Sequence, residues 1–329
     1  MRKTPLLALL AALPAPALAE VPQVMTDLPV IQSLTAQVMG DLGTPAVLLE
    51  QGGNAHSYQL KPSQAAALQS ADLVIWVGPE MTPWLERALD TVAGSGARLA
   101  LLHTPGTHLQ DFGGAPHAEH GDEDHDLAAE AHDHAAHAEG AEDHDHAEEG
   151  EEHHDHSGLD PHAWLAPENA EIWLDQIAAT LSSADPEHEA TYAANAKAAK
   201  ASVAALDARL QAELSPVAGR PFVVFHAAYG YLSAHYGLDV VGAVNLGDAT
   251  APGAAHLAEL RADLAQKGVV CAFPEAQHDP KQIEMLLEGT QVKLGDALDP
   301  TGSALSYGPD LYAQLLQGLA DTLTRCLRP

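Results

Sequence analysis

Short apolar runs rich in β-branched residues alternate with segments of helical periodicity along most of the chain. The apolar runs predict strands over residues 46–49, 73–77, 98–102, 222–225, 240–244, 269–273 and 291–294. The periodic segments predict helices, several with proline in the first turn, over residues 62–69, 83–92, 167–181, 254–266, 280–287 and 309–327. Such alternation is typical of parallel sheets with crossover helices. We therefore predict an α/β fold of two lobes, each a parallel-rich sheet flanked by helices.

One segment between the two groups of strands has a different pattern. Asp185-Pro186 is typical of a helix start, and the alanine-rich residues that follow contain neither glycine nor proline. Apolar residues recur there at intervals of three and four, at Val203, Leu206, Leu210 and Leu214. We predict one long helix over residues 185–214, connecting an N-terminal lobe (20–184) to a C-terminal lobe (215–329).

The N-terminus has the pattern of a secretory signal peptide. Basic residues precede a short apolar run over residues 6–13, and the small-x-small sequence at 17–19 fits a cleavage site. That run is too short to span a bilayer. We expect residues 1–19 to be removed and the mature chain to be exported to the periplasm. A formal net charge of −31 makes nucleic acid an unsuitable partner.

Cys271 and Cys326 are the two cysteines of the chain. In an exported protein two thiols usually pair, and two unpaired buried thiols are the alternative. Cys271 belongs to an apolar run, whereas Cys326 belongs to the last periodic segment. We predict a disulfide that holds the C-terminal helix on a strand.

Residues 117–156 have a composition unlike the rest of the chain. They contain many Asp, Glu and Ala residues and eleven histidines: His117, His120, His125, His132, His134, His137, His144, His146, His153, His154 and His156. Because the segment has little apolar bulk to offset the entropy of ordering, we predict a disordered loop inserted in the first lobe. Histidine-rich tracts commonly bind metal, which predicts an auxiliary metal loop. An acidic solubilising loop with incidental histidines is the alternative.

Three histidines outside this tract share a setting. Each lies in a loop at the entrance to a predicted helix, and two directly follow a predicted strand: His56, His162 and His226. Open α/β sheets bind ligands beyond the carboxyl ends of their strands. Taken alone, each is explained as a surface or hydrogen-bonded histidine, but their shared placement favours a metal site. Three imidazoles with one oxygen ligand suit zinc (Zn2+) better than manganese or calcium.

Two acidic residues are candidates to complete this site. Asp299 follows the predicted strand at 291–294 and is a candidate fourth ligand, with water as the alternative. Glu275 follows another predicted strand and is a candidate to hold a ligating imidazole from outside the coordination sphere. The alternative for each acid is a turn or helix cap.

Five segments, in this order, resemble the metal-specific solute-binding proteins of bacterial ABC importers, particularly the zinc-binding ZnuA type: residues 53–63, 71–78, 159–164, 225–231 and 273–277. The resemblance implies two lobes joined by a single long helix, with metal bound between them by His56, His162 and His226. The acidic histidine-rich insertion and a disulfide in the second lobe are similar to zinc members rather than manganese members. Several zinc members have glutamate where this chain has Ala55, which leaves Asp299 or water as the fourth ligand.

These features together predict high-affinity capture of zinc in the periplasm and its delivery to the membrane permease of an ABC importer. We expect a monomer, and a periplasmic zinc chaperone is a further candidate partner. The nearest alternative is a manganese or iron solute-binding protein of the same family. A zinc buffer or chaperone and a zinc hydrolase are alternatives of other classes. We expect no enzyme activity, because the chain contains neither an HExxH nor a GxSxG motif.

Overall fold

The computed structural model describes residues 21–91, 94, 96–112, 158–245 and 252–329. Its strands form two four-stranded sheets in which every pairing is parallel. The first sheet has the order β2-β1-β3-β4, with β1 at Val24–Thr26, β2 at Ala46–Val47, β3 at Leu73–Trp76 and β4 at Ala97–Ala100. The second has the order β6-β5-β7-β8, with β5 at Pro221–His226, β6 at Asp239–Asn245, β7 at Cys271–Phe273 and β8 at Lys293–Leu294. The predicted α/β class with two parallel sheets is confirmed.

The described helices flank these sheets and connect them. They are α1 (Pro29–Met39), α2 (Pro62–Ser70), α3 (Pro83–Thr91), α4 (Pro167–Ala184), α5 (Glu189–Leu214), α6 (Gly230–Tyr236), α7 (Ala254–Gln266), α8 (Lys281–Leu287) and α9 (Leu311–Leu327). Proline occupies the first turn of α1, α2 and α4, where its missing N–H would have no partner within the helix. Across the described ranges, no helix is both long and apolar enough to cross a membrane.

The long connecting helix is confirmed, although it begins later than the sequence predicts. A short 3-10 turn at Pro186–His188 precedes α5. Asp185 accepts a 2.8 Å hydrogen bond from the Tyr192 hydroxyl and contacts Nδ1 of His188 at 2.7 Å. Its carboxylate therefore fixes the entry to α5. Seven buried side chains form the inner stripe of α5: Tyr192, Ala196, Ala199, Val203, Leu206, Leu210 and Leu214.

The two sheets share a core. One continuous cluster of buried side chains extends from α1 through α4 and α5 to α9 and includes residues of both sheets. Helices α1 and α9, which lie at opposite ends of the sequence, are also joined by hydrogen bonds: Ser33 Oγ donates to the Pro309 carbonyl at 2.9 Å, and the Tyr312 N–H donates to Ser33 Oγ at 3.1 Å. These contacts restrict independent movement of the halves, and the lobe boundaries at 184 and 215 stay a prediction.

The predicted disulfide is present and links Cys271 on β7 to Cys326 on α9. The proposed signal peptide at 1–19 lies outside the described residues. So does the histidine-rich tract at 117–156, with all eleven of its histidines.

Candidate metal centre

The three predicted histidines meet between the two sheets. Of the residues that the structure describes, His56, His162 and His226 form the one group of three or more metal-binding side chains whose ligand atoms all lie within 4.8 Å of one another. Their ring centroids are 5.1–5.7 Å apart. His162 is fully buried, His226 is 4% exposed, and His56 is half-buried on the outer side. The cluster is therefore mostly shielded from solvent.

His56 lies in the loop between β2 and α2. Its backbone N–H donates to Oδ1 of Asn54 at 2.9 Å, which shapes a local turn. The indole N–H of Trp84, on α3, donates to the carbonyl of Ala55 at 2.7 Å. The second bond attaches the loop to α3, which flanks the first sheet, so that the backbone next to His56 has a defined position.

His162 precedes α4 and is held by Asp160. Oδ1 of Asp160 accepts the backbone N–H of His162 at 3.0 Å and lies 2.8 Å from its Nδ1. Because a carboxylate only accepts, Nδ1 is the protonated nitrogen and Nε2 faces the cluster with its lone pair. The indole N–H of Trp164 donates to the carbonyl of Pro300 at 2.8 Å, which anchors this loop to the second half of the chain. No role for Asp160 was predicted from the sequence, although an aspartate two residues before a candidate ligand is typical of such a turn.

His226 is the last residue of β5. Its Nδ1 lies 2.6 Å from Oε2 of Glu275, a buried residue that follows β7. Neighbouring parallel strands thus place the ligand and the acid side by side at the carboxyl edge of the second sheet. The carboxylate directs the other nitrogen, Nε2, toward His162.

The facing nitrogens are spaced as in a metal site. Nε2 of His226 lies 3.3 Å from Nε2 of His162. Two nitrogens bound to one tetrahedral zinc at 2.0–2.1 Å are about 3.3 Å apart. The pair therefore has the separation of two ligands of one ion, and His56 faces the same point from the other side.

Asp299 is engaged by its own loop. Its carboxylate accepts backbone N–H groups of Gly302 at 2.9 Å, Ser303 at 3.2 Å and Ala304 at 2.9 Å. The side-chain amide of Gln277 adds a bond at 3.1 Å. Asp299 is thus a loop cap and does not belong to the 4.8 Å group, so its metal role stays a prediction.

Tyr229, which the sequence did not single out as a site residue, is buried near two acids. Burial, reinforced by Glu275 and Asp299, raises the pKa of its phenol well above the usual value. The hydroxyl is therefore neutral and can donate a hydrogen bond. Its position in the sequence, directly after β5 and three residues beyond His226, could have pointed to Tyr229 as a site residue.

The chain matches one family of transport proteins over most of its length. The family model of ZnuA, the periplasmic component A of a zinc-uptake complex, matches residues 24–326. The high-affinity zinc uptake system protein ZnuA of Paracoccus denitrificans is 53% identical over 312 residues, covering 95% of this chain and 94% of that protein. The protein of the same name from Brucella abortus is 39% identical over 318 residues, covering 92% and 91%.

The fold is also found among solved structures. A crystal structure of ZnuA superposes with a TM-score of 0.71 at 23% sequence identity, covering 93% of this chain and 99% of that one. At this identity the match concerns the fold alone.

Proposed function

The chain belongs to the family of the periplasmic zinc-uptake component ZnuA, and from this premise we propose that it captures zinc with His56, His162 and His226 and delivers it to an ABC importer. The observation that carries the proposal is the 3.3 Å separation of two Nε2 atoms that buried carboxylates turn toward each other. His56 completes a set of three nitrogens. Proteins of this family work with the permease and ATPase of such importers.

Zinc suits this donor set better than manganese or iron. Three neutral imidazoles with one open position match the tetrahedral preference of zinc, whereas manganese favours more oxygen ligands. The fourth ligand is Asp299 or a water molecule. Water is supported by the phenol of Tyr229, whose buried hydroxyl has no hydrogen-bond partner among the described residues and can hold a metal-bound water.

The role proposed here is binding without catalysis. Asp160 and Glu275, the buried acids beside the imidazoles, each contact a ligand imidazole and so are engaged in orienting it rather than in activating water. We further propose cleavage of a signal peptide after Ala19, a periplasmic location, a monomeric state and metal exchange with a periplasmic zinc chaperone.

Alanine replacement of each histidine tests the site. His56→Ala, His162→Ala and His226→Ala should each weaken zinc binding about tenfold or more in a competition titration with a chromophoric chelator, because each removes a bond to the metal. His188→Ala is the matched control, since His188 contacts Asp185 far along the chain from the cluster. A variant that keeps wild-type affinity would show that its histidine is not a ligand.

The pH dependence gives a second readout. Metal binding requires unprotonated imidazoles, so affinity should fall as pH decreases, and zinc addition should release protons. Proton release is measured in a weakly buffered titration with an indicator dye.

A further inference from the structure

A second group of histidine and carboxylate side chains lies outside the three-histidine cluster. It lines a cavity of about 350 Å³ between the loop that follows β4, the first turn of α4 and helix α6. The polar side chains that line it are His108, Gln110, Glu168, Tyr231 and His235. Of these, the two imidazoles and the carboxylate are groups that bind divalent cations.

Glu168 lies between the two imidazoles. Its Oε2 atom is 2.9 Å from Nδ1 of His235, and its Oε1 atom is 3.8 Å from Nδ1 of His108. The ligand atoms of these three residues do not all lie within 4.8 Å of one another, as those of the three-histidine cluster do. A shared cation therefore requires the exposed His108 side chain to move toward Glu168.

His235 lies between two carboxylates. Its Nε2 lies 2.8 Å from Oδ1 of Asp207 on the connecting helix α5, and its Nδ1 faces Glu168. In His162 and His226 one nitrogen is likewise held by a carboxylate, but the other faces an imidazole. Such outer carboxylates fix the tautomer of metal-binding histidines. A cation bound by His235 would take the place of the Nδ1 proton shared with Glu168.

The backbone of His108 is fixed as well. Its N–H donates to Oδ1 of the buried Asn169 at 2.7 Å, and its carbonyl accepts Nδ2 of the same residue at 3.0 Å. Glu168 precedes Asn169 on α4, so His108 and Glu168 are held in a constant relation. Only the side chain of His108 needs to be ordered when a cation binds.

We propose that His108, Glu168 and His235 form a second divalent-cation site that binds zinc more weakly than the three-histidine cluster. An ion at this position would link helix α4 to helix α6, one from each half of the chain. The site is weaker because His108 is 68% exposed and must be immobilised. The second site is filled to a large extent only when more zinc is present than the three-histidine cluster can bind.

Crystals of the full chain grown with excess zinc provide the test. Anomalous scattering at the zinc edge should give one peak at the three-histidine cluster and a second between His108, Glu168 and His235. His235→Gln should remove the second peak and leave the first. A map with zinc at the cluster and none at the second position overturns the proposal without affecting the proposed function.

Equilibrium dialysis against excess zinc provides the solution readout. At about pH 8, His235→Gln should bind about one zinc equivalent fewer than the wild type, whereas the control His188→Gln should bind the same number. The histidine-rich tract is identical in all three proteins and cancels in the comparison. Equal binding by His235→Gln and wild type would show that His108, Glu168 and His235 form a purely structural ion-pair network, and it would overturn the proposal.

Discussion

At the scale of single residues, the candidate centre depends on which nitrogen of each imidazole is protonated. Asp160 and Glu275 contact Nδ1 of His162 and His226, and the two Nε2 atoms lie 3.3 Å from each other. A buried imidazole without such a partner would populate the other tautomer or rotate. We therefore expect the acids to contribute to zinc affinity without binding the ion themselves.

Replacing Glu275 by glutamine tests this contribution. Glu275→Gln keeps the size of the side chain but removes its charge, so zinc affinity should fall by about 10–100-fold while the fold is retained. Glu80→Gln is the matched control, since Glu80 pairs with His103 on the surface at 3.1 Å. Chelator competition measures affinity, and thermal unfolding verifies the fold. Unchanged affinity in Glu275→Gln would mean that the acid does not orient His226.

Asp299 has a different expected effect. Asp299→Ala should lower zinc affinity less than any of the three histidine replacements, because water can occupy the vacated position on a tetrahedral ion. The loop at 301–304 loses its acceptor, so a decrease in unfolding temperature should accompany the change. A loss of affinity as large as that of His226→Ala, measured by the same titration, would identify Asp299 as a primary ligand and reverse this ranking.

At the scale of elements, α9 is held in two ways. It buries one face in the shared core, through Leu315, Leu319 and Leu323 among others, and its last turn is joined to β7 by the disulfide. Packing positions the helix in the folded chain, whereas the disulfide stabilises it mainly by restricting the unfolded chain.

Removing the disulfide should therefore affect stability more than binding. The double variant Cys271→Ser with Cys326→Ser opens a loop with a sequence separation of 55. The chain-entropy treatment gives a loss of about 4 kcal/mol for a loop of this length. The free energy of unfolding in urea should decrease by up to this amount, and zinc affinity at 25 °C should be retained. Wild-type protein treated with reductant is the control, and an unchanged unfolding midpoint in both would contradict the prediction.

At the scale of the whole molecule, the histidine-rich segment is inserted where the chain returns to nearly the same point. Asp111 and Leu159 form an antiparallel bridge, and the Phe112 N–H donates to the Gly158 carbonyl at 3.0 Å. The described residues that flank the insertion on either side, Phe112 and Gly158, are thus adjacent. A shorter connection can replace the insertion without moving either sheet.

Deleting residues 118–155 should leave one tight zinc site and remove the weaker equivalents that the eleven histidines contribute. The deleted residues are poor in apolar side chains, so the cost in stability should be small. Their many acids attract cations, so stopped-flow zinc capture should slow at low salt and differ less from wild type at high salt. Calorimetry that shows the tight site lost would mean that the insertion supplies a primary ligand.

The shared core also limits motion of the halves. Because α1, α4, α5 and α9 pack into one cluster, a large hinge opening would expose apolar surface at about 25 cal/mol per Å². We therefore expect metal capture to involve local movement of the loops that hold the three histidines more than separation of the sheets.

The sequence by itself determined the α/β class, the connecting helix and the disulfide, since each depends on local periodicity or on a small count of reactive residues. It also predicted the three histidines that the structure brings together, His56, His162 and His226, because loops at strand ends and helix starts are recognisable from their neighbours. It missed β1 and α1, and it indicated α6 only as a helix after His226, without bounds. Helix α1 buries ten of its eleven residues and so lacks the polar face that reveals a helix, and α6 is a short helix that begins at a glycine.

Only the tertiary structure decided how these parts meet. The 3.3 Å separation of two imidazoles that lie 64 residues apart depends on the relative position of the two sheets, which no local pattern encodes. The partnership of His226 with Glu275 depends on strand order, and that of Asp299 with the loop at 301–304 depends on a turn. The joining of α1 to α9 likewise results from packing between opposite ends of the chain. The identity of the candidate ligands is thus largely a local property of the sequence, whereas their relative geometry is set by long-range packing.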